Sequence, residues 1–188
     1  MLYLNDHIED INVADALKRV GAQRAAYALR YRQEHDRRLS LAVYLLLQEA
    51  LKKEYGIREV PEFIYGSHGK PALKGHPEIH FNLSHCRQAA LCVVSDRPVG
   101  CDVESVPAVL DMDLCRYCFN EEETAGILSS ENPPLAFTKL WTRKEAYLKL
   151  TGEGLTDNLP RISVIPHPLQ TFTAPDNSYA YSVCQWTE

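Results

Sequence analysis

Two carboxylates stand two residues apart in the segment 99–104. Asp102 and Glu104 alternate with Val103, and on a strand such side chains point to the same face, about 7 Å apart. Neighbouring carboxylates repel each other and raise each other's pKa unless a cation joins them. Oxygen ligands of this kind suit Mg²⁺, which keeps waters and accepts phosphate oxygens. The alternative is an exposed strand, on which this spacing is common.

A second group of charges follows in the segment 141–149. Trp141, Glu145 and Lys149 are spaced four apart, so they share one face of a helix, and Lys144 flanks them. An ordinary surface Glu–Lys pair is the simpler interpretation. The segment is otherwise largely apolar, however, so this charged stripe is better explained by a helix that faces a cleft.

Two further motifs carry polar side chains at strand ends or in tight loops. Ser84 and His85 are adjacent, which places them on opposite faces of a strand, and no G-x-S-x-G elbow surrounds the serine, so a hydrolase triad is disfavoured. The pair could donate hydrogen bonds to phosphate or simply cap a strand end. Lys70 lies in Gly69-Lys70-Pro71, a tight loop that lacks the spacing of a phosphate-binding P-loop.

The charge of the chain is unevenly distributed. Its 188 residues include 20 Lys plus Arg and 25 Asp plus Glu, a net charge of −5, yet the segment 18–53 carries a net +6 and the remainder −11. The acidic total argues against non-specific binding to nucleic acid or to anionic membranes. The arginines of the basic segment match a phosphate-rich small ligand, although a solvated helix face is the alternative for any one of them.

Length and composition indicate a globular protein of one domain or two small halves. We expect no secretory signal, because the first ten residues lack a basic start followed by an apolar stretch, and no membrane span, because no run of about 18 apolar residues occurs. Six cysteines without a signal peptide predict reduced thiols in the cytoplasm, and Cys115-x2-Cys118 lacks the second pair of a zinc site.

Hydrophobic periodicity predicts an α+β order. We expect helices over 23–35 and 37–54, the second ended by Gly56, and then strands at 62–65, 79–83, 89–95 and 99–103. Helices follow over 111–118 and 121–129, and a longer one begins at the N-cap Asn132 and runs to Leu150. Short strands follow from Ile162 onward. Helices followed by strands, twice over, favour α+β above a parallel βαβ fold.

The motifs occur in one order along the chain: Gly69-Lys70-Pro71, Phe81-Asn82-Leu83-Ser84-His85, Val99-Gly100-Cys101-Asp102-Val103-Glu104, Phe119 with Glu123, and Trp141-Thr142-Arg143-Lys144-Glu145-Ala146-Tyr147-Leu148-Lys149. This series resembles the 4'-phosphopantetheinyl transferases of the surfactin-synthetase-activating (Sfp-like) type. The resemblance covers about residues 24–155.

The resemblance implies a holo-[acyl-carrier-protein] synthase activity. Such an enzyme transfers the phosphopantetheine arm of coenzyme A to a serine of an apo acyl or peptidyl carrier protein and releases adenosine 3',5'-bisphosphate. It also implies two α+β halves, here 1–98 and 99–188, that pack as a pseudo-dimer with coenzyme A in the cleft between them. We expect a cytoplasmic monomer whose partners are coenzyme A and a carrier protein.

The resemblance also assigns roles to residues. It implies that Asp102, Glu104 and Glu145 bind Mg²⁺, or Mn²⁺, that Glu145 accepts the proton of the carrier serine, and that Lys149 with Lys144 stabilises the departing phosphate. Glu123 matches an acidic position that could complete the metal shell. The cofactor-binding residues implied for coenzyme A and its 3'-phosphate are Arg38, Arg24, His85, Ser84 and Lys70.

Two alternatives remain open at this point. A metal-dependent pyrophosphohydrolase acting on coenzyme A or a nucleotide would use the same carboxylates without a carrier. A non-catalytic module that binds coenzyme A or a carrier would need neither a base nor metal ligands, which makes Asp102, Glu104, Glu145 and Lys149 hard to explain.

Overall fold

The fold is α+β. A computed structural model describes residues 1–66, 69–152, 154, 159–162 and 169–185. Its helices are α1 (Val13–Arg19), α2 (Gly21–Ala28), α3 (Glu34–Tyr55), α4 (Met112–Cys118), α5 (Glu121–Leu128) and α6 (Pro133–Thr151). Its strands are β1 (Leu2–Asn5), β2 (Phe63–Tyr65), β3 (Pro71–Leu73), β4 (His80–His85), β5 (Ala90–Ser95), β6 (Val99–Ser105), β7 (Leu169–Thr173) and β8 (Tyr179–Gln185).

Two small antiparallel sheets form the centre of the molecule. Their strand orders are β1-β5-β4 and β6-β8-β7, and β2 pairs separately with β3 as a hairpin. The two sheets have matching topologies, since in each the first strand of the segment pairs with the last. A long helix packs on each sheet, α3 on the first and α6 on the second.

The helix α3 supplies the core of the first sheet. Its apolar side chains, among them Leu47 and Leu51, pack with Phe81 of β4 and Val94 of β5 in one buried cluster. Burial of such side chains from water is the main favourable term that holds a helix onto a sheet.

The helix α6 lies unusually close to β6. A Cβ atom added to Gly100 would lie 2.0 Å from the carbonyl oxygen of Ala146 and 2.4 Å from the backbone nitrogen of Leu150. Only glycine leaves room for this contact of backbone with backbone. The contact places α6 directly over the strand that carries Asp102 and Glu104.

The predicted elements are largely confirmed. Asn132 accepts a hydrogen bond from the backbone N–H of Leu135 as the N-cap of α6, and Gly56 and Gly152 end α3 and α6 in the left-handed region. All six cysteines are buried free thiols, as expected. The predicted strands beginning at Ile162 fall partly on residues 163–168, which lie outside the described part of the chain.

Some elements differ from the predictions. The predicted helix 23–35 is shorter and begins earlier, at Gly21, and the sequence patterns missed β1, α1 and β3. In the described residues, no helix combines the length and apolar character needed to cross a bilayer.

Candidate active site

The strand β6 and the helix α6 bring the predicted catalytic charges together. Lys149 Nζ lies 2.6 Å from Asp102 Oδ1 and forms an ion pair with it. Trp141, two turns before Lys149, lies near enough to Glu104 to influence the pKa of that carboxyl. The stripe on α6 that the spacing predicted therefore does face the carboxylates of β6.

Two carboxylate oxygens at this site are buried and unpaired. Asp102 Oδ2 and Glu145 Oε1 have no hydrogen-bond partner among the described residues. Buried polar atoms are nearly always paired, because leaving one unsatisfied costs about 1 to 3 kcal/mol. Such exceptions indicate a position where a ligand is expected.

The electrostatics of the site reflect the concentration of negative charge. Burial, aided by the charge of Asp102, raises the pKa of Glu104 from its ordinary 4.5 to about 7. Burial and Asp102 likewise raise the pKa of Glu145. Desolvation lowers the pKa of Lys149, but the nearby negative charges outweigh it, so that pKa is raised overall. A cation added here would relieve the repulsion.

The geometry of a metal site is incomplete. Among the residues that the structure describes, no three His, Cys, Asp or Glu side chains converge closely enough to hold a metal ion by themselves. Mg²⁺ commonly uses only one or two carboxylates, with waters and substrate phosphates as its other ligands. The unpaired oxygens of Asp102 and Glu145 fit that pattern of hard oxygen donors.

A cleft of about 280 Å³ opens beside these charges. Glu145 and Lys149 line it from α6, and Lys70 and Asn82 line it from the segments that precede β6. Lys70 Nζ donates to the backbone carbonyls of Lys149 at 2.6 Å and Leu150 at 3.1 Å. Lys70 thus stabilises the C-terminal end of α6, where the helix dipole favours a cation.

A second cavity, of about 600 Å³, adjoins the first and contains Arg24. The two cavities share Pro71 and Leu83 in their walls. The Arg24 guanidinium stacks 4.9 Å from the ring centre of Tyr27 and 5.3 Å from that of Tyr44, and donates to Ser40. Its buried Nε has no partner within the described chain. Together the cavities could hold an elongated anionic ligand.

His85 is the last residue of β4, and its side chain is exposed. Its pKa is lowered, first by partial desolvation of the ring and then by the positive charges of Lys149 and Arg24. The adjacent Ser84 is buried and bonded to protein atoms: its hydroxyl donates to Asp102 Oδ1 at 2.8 Å and accepts from Lys149 Nζ at 3.1 Å.

Arg38 forms ion pairs with two carboxylates. Its guanidinium is paired with Glu9 and with Glu34, the latter at 2.6 Å. Glu9 also accepts a hydrogen bond from His35 at 2.8 Å. The two ion pairs use Nη1 and Nη2, whereas the buried Nε of Arg38 has no partner among the described residues.

Lys144 is fully buried, and all its donors are used. Nζ lies 2.7 Å from Glu123 and donates to the backbone carbonyls of Cys118 at 3.0 Å and Leu159 at 2.9 Å. Glu123 also closes the capping box of α5 with Asn120. Through these contacts Lys144 and Glu123 act structurally, because they fix α4 and α5 to α6.

Sequence reasoning missed several contributors to the site. Gly100 lies within a motif, but nothing in the sequence shows that a helix passes over it. Tyr27 and Tyr44 lie in segments predicted to be helical, and only the fold places both rings against Arg24. Trp141 was predicted to share a face of α6 with Glu145, but the sequence does not show that it lies near Glu104.

Comparison with known proteins identifies the family of this chain. The profile of the 4'-phosphopantetheinyl transferase superfamily matches residues 98–187. The chain is 33% identical over 149 residues to the 4'-phosphopantetheinyl transferase AcpT of Salmonella typhi, an alignment that covers 77% of this chain and 74% of that relative. The chain therefore belongs to the 4'-phosphopantetheinyl transferase superfamily.

Other relatives are longer than this chain. It is 33% identical over 143 residues to 4'-phosphopantetheinyl transferase psf-1 of Bacillus pumilus, covering 74% of this chain and 61% of that relative. It is 26% identical over 141 residues to 4'-phosphopantetheinyl transferase Sfp of Bacillus subtilis (strain 168), covering 73% and 62%. The chain thus spans about three fifths of the length of these two relatives.

Proposed function

We propose that this protein transfers the 4'-phosphopantetheine group of coenzyme A to a serine of an apo acyl or peptidyl carrier protein. The observation that carries the proposal is the pair of unpaired carboxylate oxygens, Asp102 Oδ2 and Glu145 Oε1, beside Lys149 at the end of two adjoining cavities. Membership of the transferase superfamily and the names of the relatives support it.

In the proposed reaction the serine oxygen attacks the phosphorus that carries the pantetheine arm. A new O–P bond forms, the bond to the oxygen of adenosine 3',5'-bisphosphate breaks, and the serine proton passes to Glu145, directly or through a water. A proton acceptor placed in this way contributes typically about 10²- to 10⁴-fold to a rate. The Glu145 carboxylate, with its raised pKa, is a stronger base than an exposed glutamate.

Mg²⁺ or Mn²⁺ held by Asp102, Glu145 and Glu104 would neutralise charge on the pyrophosphate. Lys149 Nζ adds a fixed positive charge from the protein itself at the same place. All donors of Lys144 Nζ are bonded to Glu123 and two backbone carbonyls. We therefore assign the stabilisation of the leaving group to Lys149.

Coenzyme A would lie along the two cavities, with its adenosine phosphates toward Arg24 and His85. Arg24 offers an unpaired buried Nε, and Tyr27 and Tyr44 offer aromatic surface. Arg38 would contribute to binding of the 3'-phosphate through its unpaired Nε, while Glu9 and Glu34 hold its other two nitrogens. Lys70 lines the cleft, and its contact with α6 holds the two sides of that cleft together.

We further propose that residues 1–98 and 99–188 are two related halves that pack as a pseudo-dimer. The support is topological, because the sheet orders β1-β5-β4 and β6-β8-β7 correspond. Among the described residues each half contains an edge strand, three α-helices and an antiparallel pair of strands, and the first half has the β2–β3 hairpin in addition. The proposed site then lies between the halves.

Analysis of the nucleotide products separates this function from its alternatives. The protein is incubated with coenzyme A and Mg²⁺, with and without a panel of apo carrier proteins, and the products are resolved by chromatography. Adenosine 3',5'-bisphosphate that is formed only when a carrier is present supports transfer. Cleavage of coenzyme A without a carrier would instead identify a pyrophosphohydrolase, and binding without cleavage a non-catalytic module.

A further inference from the structure

Protein atoms fill every hydrogen-bonding position of the Ser84 hydroxyl. It donates to Asp102 Oδ1 at 2.8 Å and accepts from Lys149 Nζ at 3.1 Å and from the backbone N–H of Val103 at 3.3 Å. A serine hydroxyl has one donor and two acceptor positions. Ser84, which is 8% exposed, therefore has no hydrogen-bonding capacity left for a phosphate group.

Ser84 is held in this position by a junction between two strands. β4 and β6 lie side by side at the edges of separate sheets. Asn82 Oδ1 accepts from the backbone N–H of Cys101 at 2.8 Å, just as Ser84 Oγ accepts from Val103. Side chains two residues apart on β4 thus satisfy alternate N–H groups of β6. The junction fixes the serine relative to Asp102.

The consequence for Asp102 is an asymmetric carboxylate. Oδ1 receives hydrogen bonds from both Ser84 and Lys149, whereas Oδ2 is buried and has no partner in the described part of the chain. Without the serine, Lys149 alone would hold Oδ1. The carboxylate could then turn and share both oxygens with the ammonium group.

We propose that Ser84 is a positioning residue, whose hydroxyl holds Asp102 Oδ1 so that Oδ2 is directed at a divalent cation. This inference rests on the proposed function, because the divalent cation in the cleft is part of the proposed transfer reaction. It differs from the role that the resemblance implied for Ser84, which was to line the coenzyme A pocket. The two roles predict different kinetic defects.

The test measures metal binding directly, with Mn²⁺ as the probe and no coenzyme A or carrier present. Free Mn²⁺ is followed by electron paramagnetic resonance in titrations of the wild type and Ser84→Ala. Loss of a group that orients a metal ligand typically weakens affinity about 10- to 100-fold. We expect Ser84→Ala to bind Mn²⁺ about tenfold more weakly or worse, with the KM for coenzyme A nearly unchanged at saturating metal.

Ser95→Ala is a matched control. Ser95 is also 8% exposed, and its hydroxyl accepts from Gln185 Nε2 at 2.6 Å, on the far end of β5 from the carboxylates. Its removal should leave Mn²⁺ affinity unchanged. Circular dichroism checks folding, and if Ser84→Ala unfolds, Ser84→Cys serves instead, because a thiol is of similar size and a weak donor.

Wild-type Mn²⁺ affinity in Ser84→Ala, or no Mn²⁺ binding by the wild type, would overturn the proposal. A raised KM for coenzyme A with unchanged Mn²⁺ affinity would also overturn the proposal. It would indicate instead that Ser84 contacts coenzyme A, as the resemblance implied. If no carrier is modified by the wild type but Ser84→Ala still loses Mn²⁺, the proposed function fails while the positioning role stands.

Discussion

Glu145 and Lys149 lie one helical turn apart on α6 and face the same strand. Lys149 is bonded to Asp102 Oδ1, while Glu145 Oε1 is buried without a partner among the described residues. The sequence spacing predicted this shared face, because residues four apart on a helix are neighbours. It could not predict that one of the two charges would be paired and the other left open.

At the level of single residues, Glu145→Gln tests the proposed base. The amide keeps the size of the side chain but cannot accept the serine proton, so turnover should fall about 10²- to 10⁴-fold. Calorimetry without a divalent metal should show coenzyme A binding close to that of the wild type. The exposed Glu122→Gln on α5 is the control and should retain activity. Near-normal turnover of Glu145→Gln would refute the assignment.

Arg38 and Lys144 show where residue-level prediction stops. The resemblance implied that both contact coenzyme A, and this stays a prediction. In the structure two nitrogens of Arg38 are paired with Glu9 and Glu34, and Lys144 is paired with Glu123. These acids are distant in sequence from the basic residues, with the exception of Glu34. Which partner a long cationic side chain finds depends on tertiary packing that a motif does not encode.

Among the elements, α6 carries most of the site, and its closeness to β6 depends on Gly100. Ala at this position would place its Cβ 2.0 Å from the Ala146 carbonyl oxygen, so α6 must move. Overpacking of this kind costs typically about 1 to 3 kcal/mol. Urea denaturation of Gly100→Ala should show a loss near the upper end of that range.

Gly126→Ala on α5 is the matched control for Gly100→Ala. A Cβ there would meet no described heavy atom within 4 Å, and the backbone is already helical. Because alanine favours a helix over glycine, this variant should be more stable by about 0.5 to 1 kcal/mol. Equal stabilities for the two variants would contradict the close packing of α6 on β6.

The link between α5 and α6 provides a second prediction at this level. Lys144→Met leaves the carboxylate of Glu123 and two backbone carbonyls without their partner, so we expect a loss of about 3 to 5 kcal/mol. The double variant Glu123→Gln with Lys144→Met should lose less than the sum of the two single variants. Additive losses in urea denaturation would show that the pair is not coupled.

The prediction of elements was most accurate where local signals are strong. Asn132, Pro133 and Gly152 mark the ends of α6 in the sequence as in the structure. The strand β1 was missed because Leu2–Asn5 is only four residues long and depends on β5 for its pairing. Short segments of this kind are specified by tertiary contacts rather than by their own pattern.

For the whole molecule, the reactivity of the six cysteines measures how well the core excludes solvent and reagents. All are buried, and burial raises the pKa of every one, in the case of Cys101 to about 12. Since the thiolate is the reactive form, the native protein should react only very slowly with Ellman's reagent at about pH 8. In guanidinium all six should react. Rapid labelling of any thiol in the native protein would contradict this packing.

The arrangement of the whole chain was predictable only in outline. The order of helices followed by strands, twice over, predicted α+β. The correspondence between the two sheets, however, comes from strand pairings separated by up to about ninety residues. The sequence halves show no visible repeat, so this similarity lies in topology alone. The proposed cleft is a property of the pair rather than of either half.

Intact mass spectrometry of an apo carrier protein is the most direct test of the central proposal. The carrier is incubated with the protein, coenzyme A and Mg²⁺, and a parallel sample contains a chelator. We predict that the carrier gains the mass of one phosphopantetheine group, that the chelator abolishes the gain, and that Glu145→Gln slows it by about 10²- to 10⁴-fold. No gain in mass with any carrier of a panel from fatty-acid, polyketide and peptide synthesis would contradict the proposal.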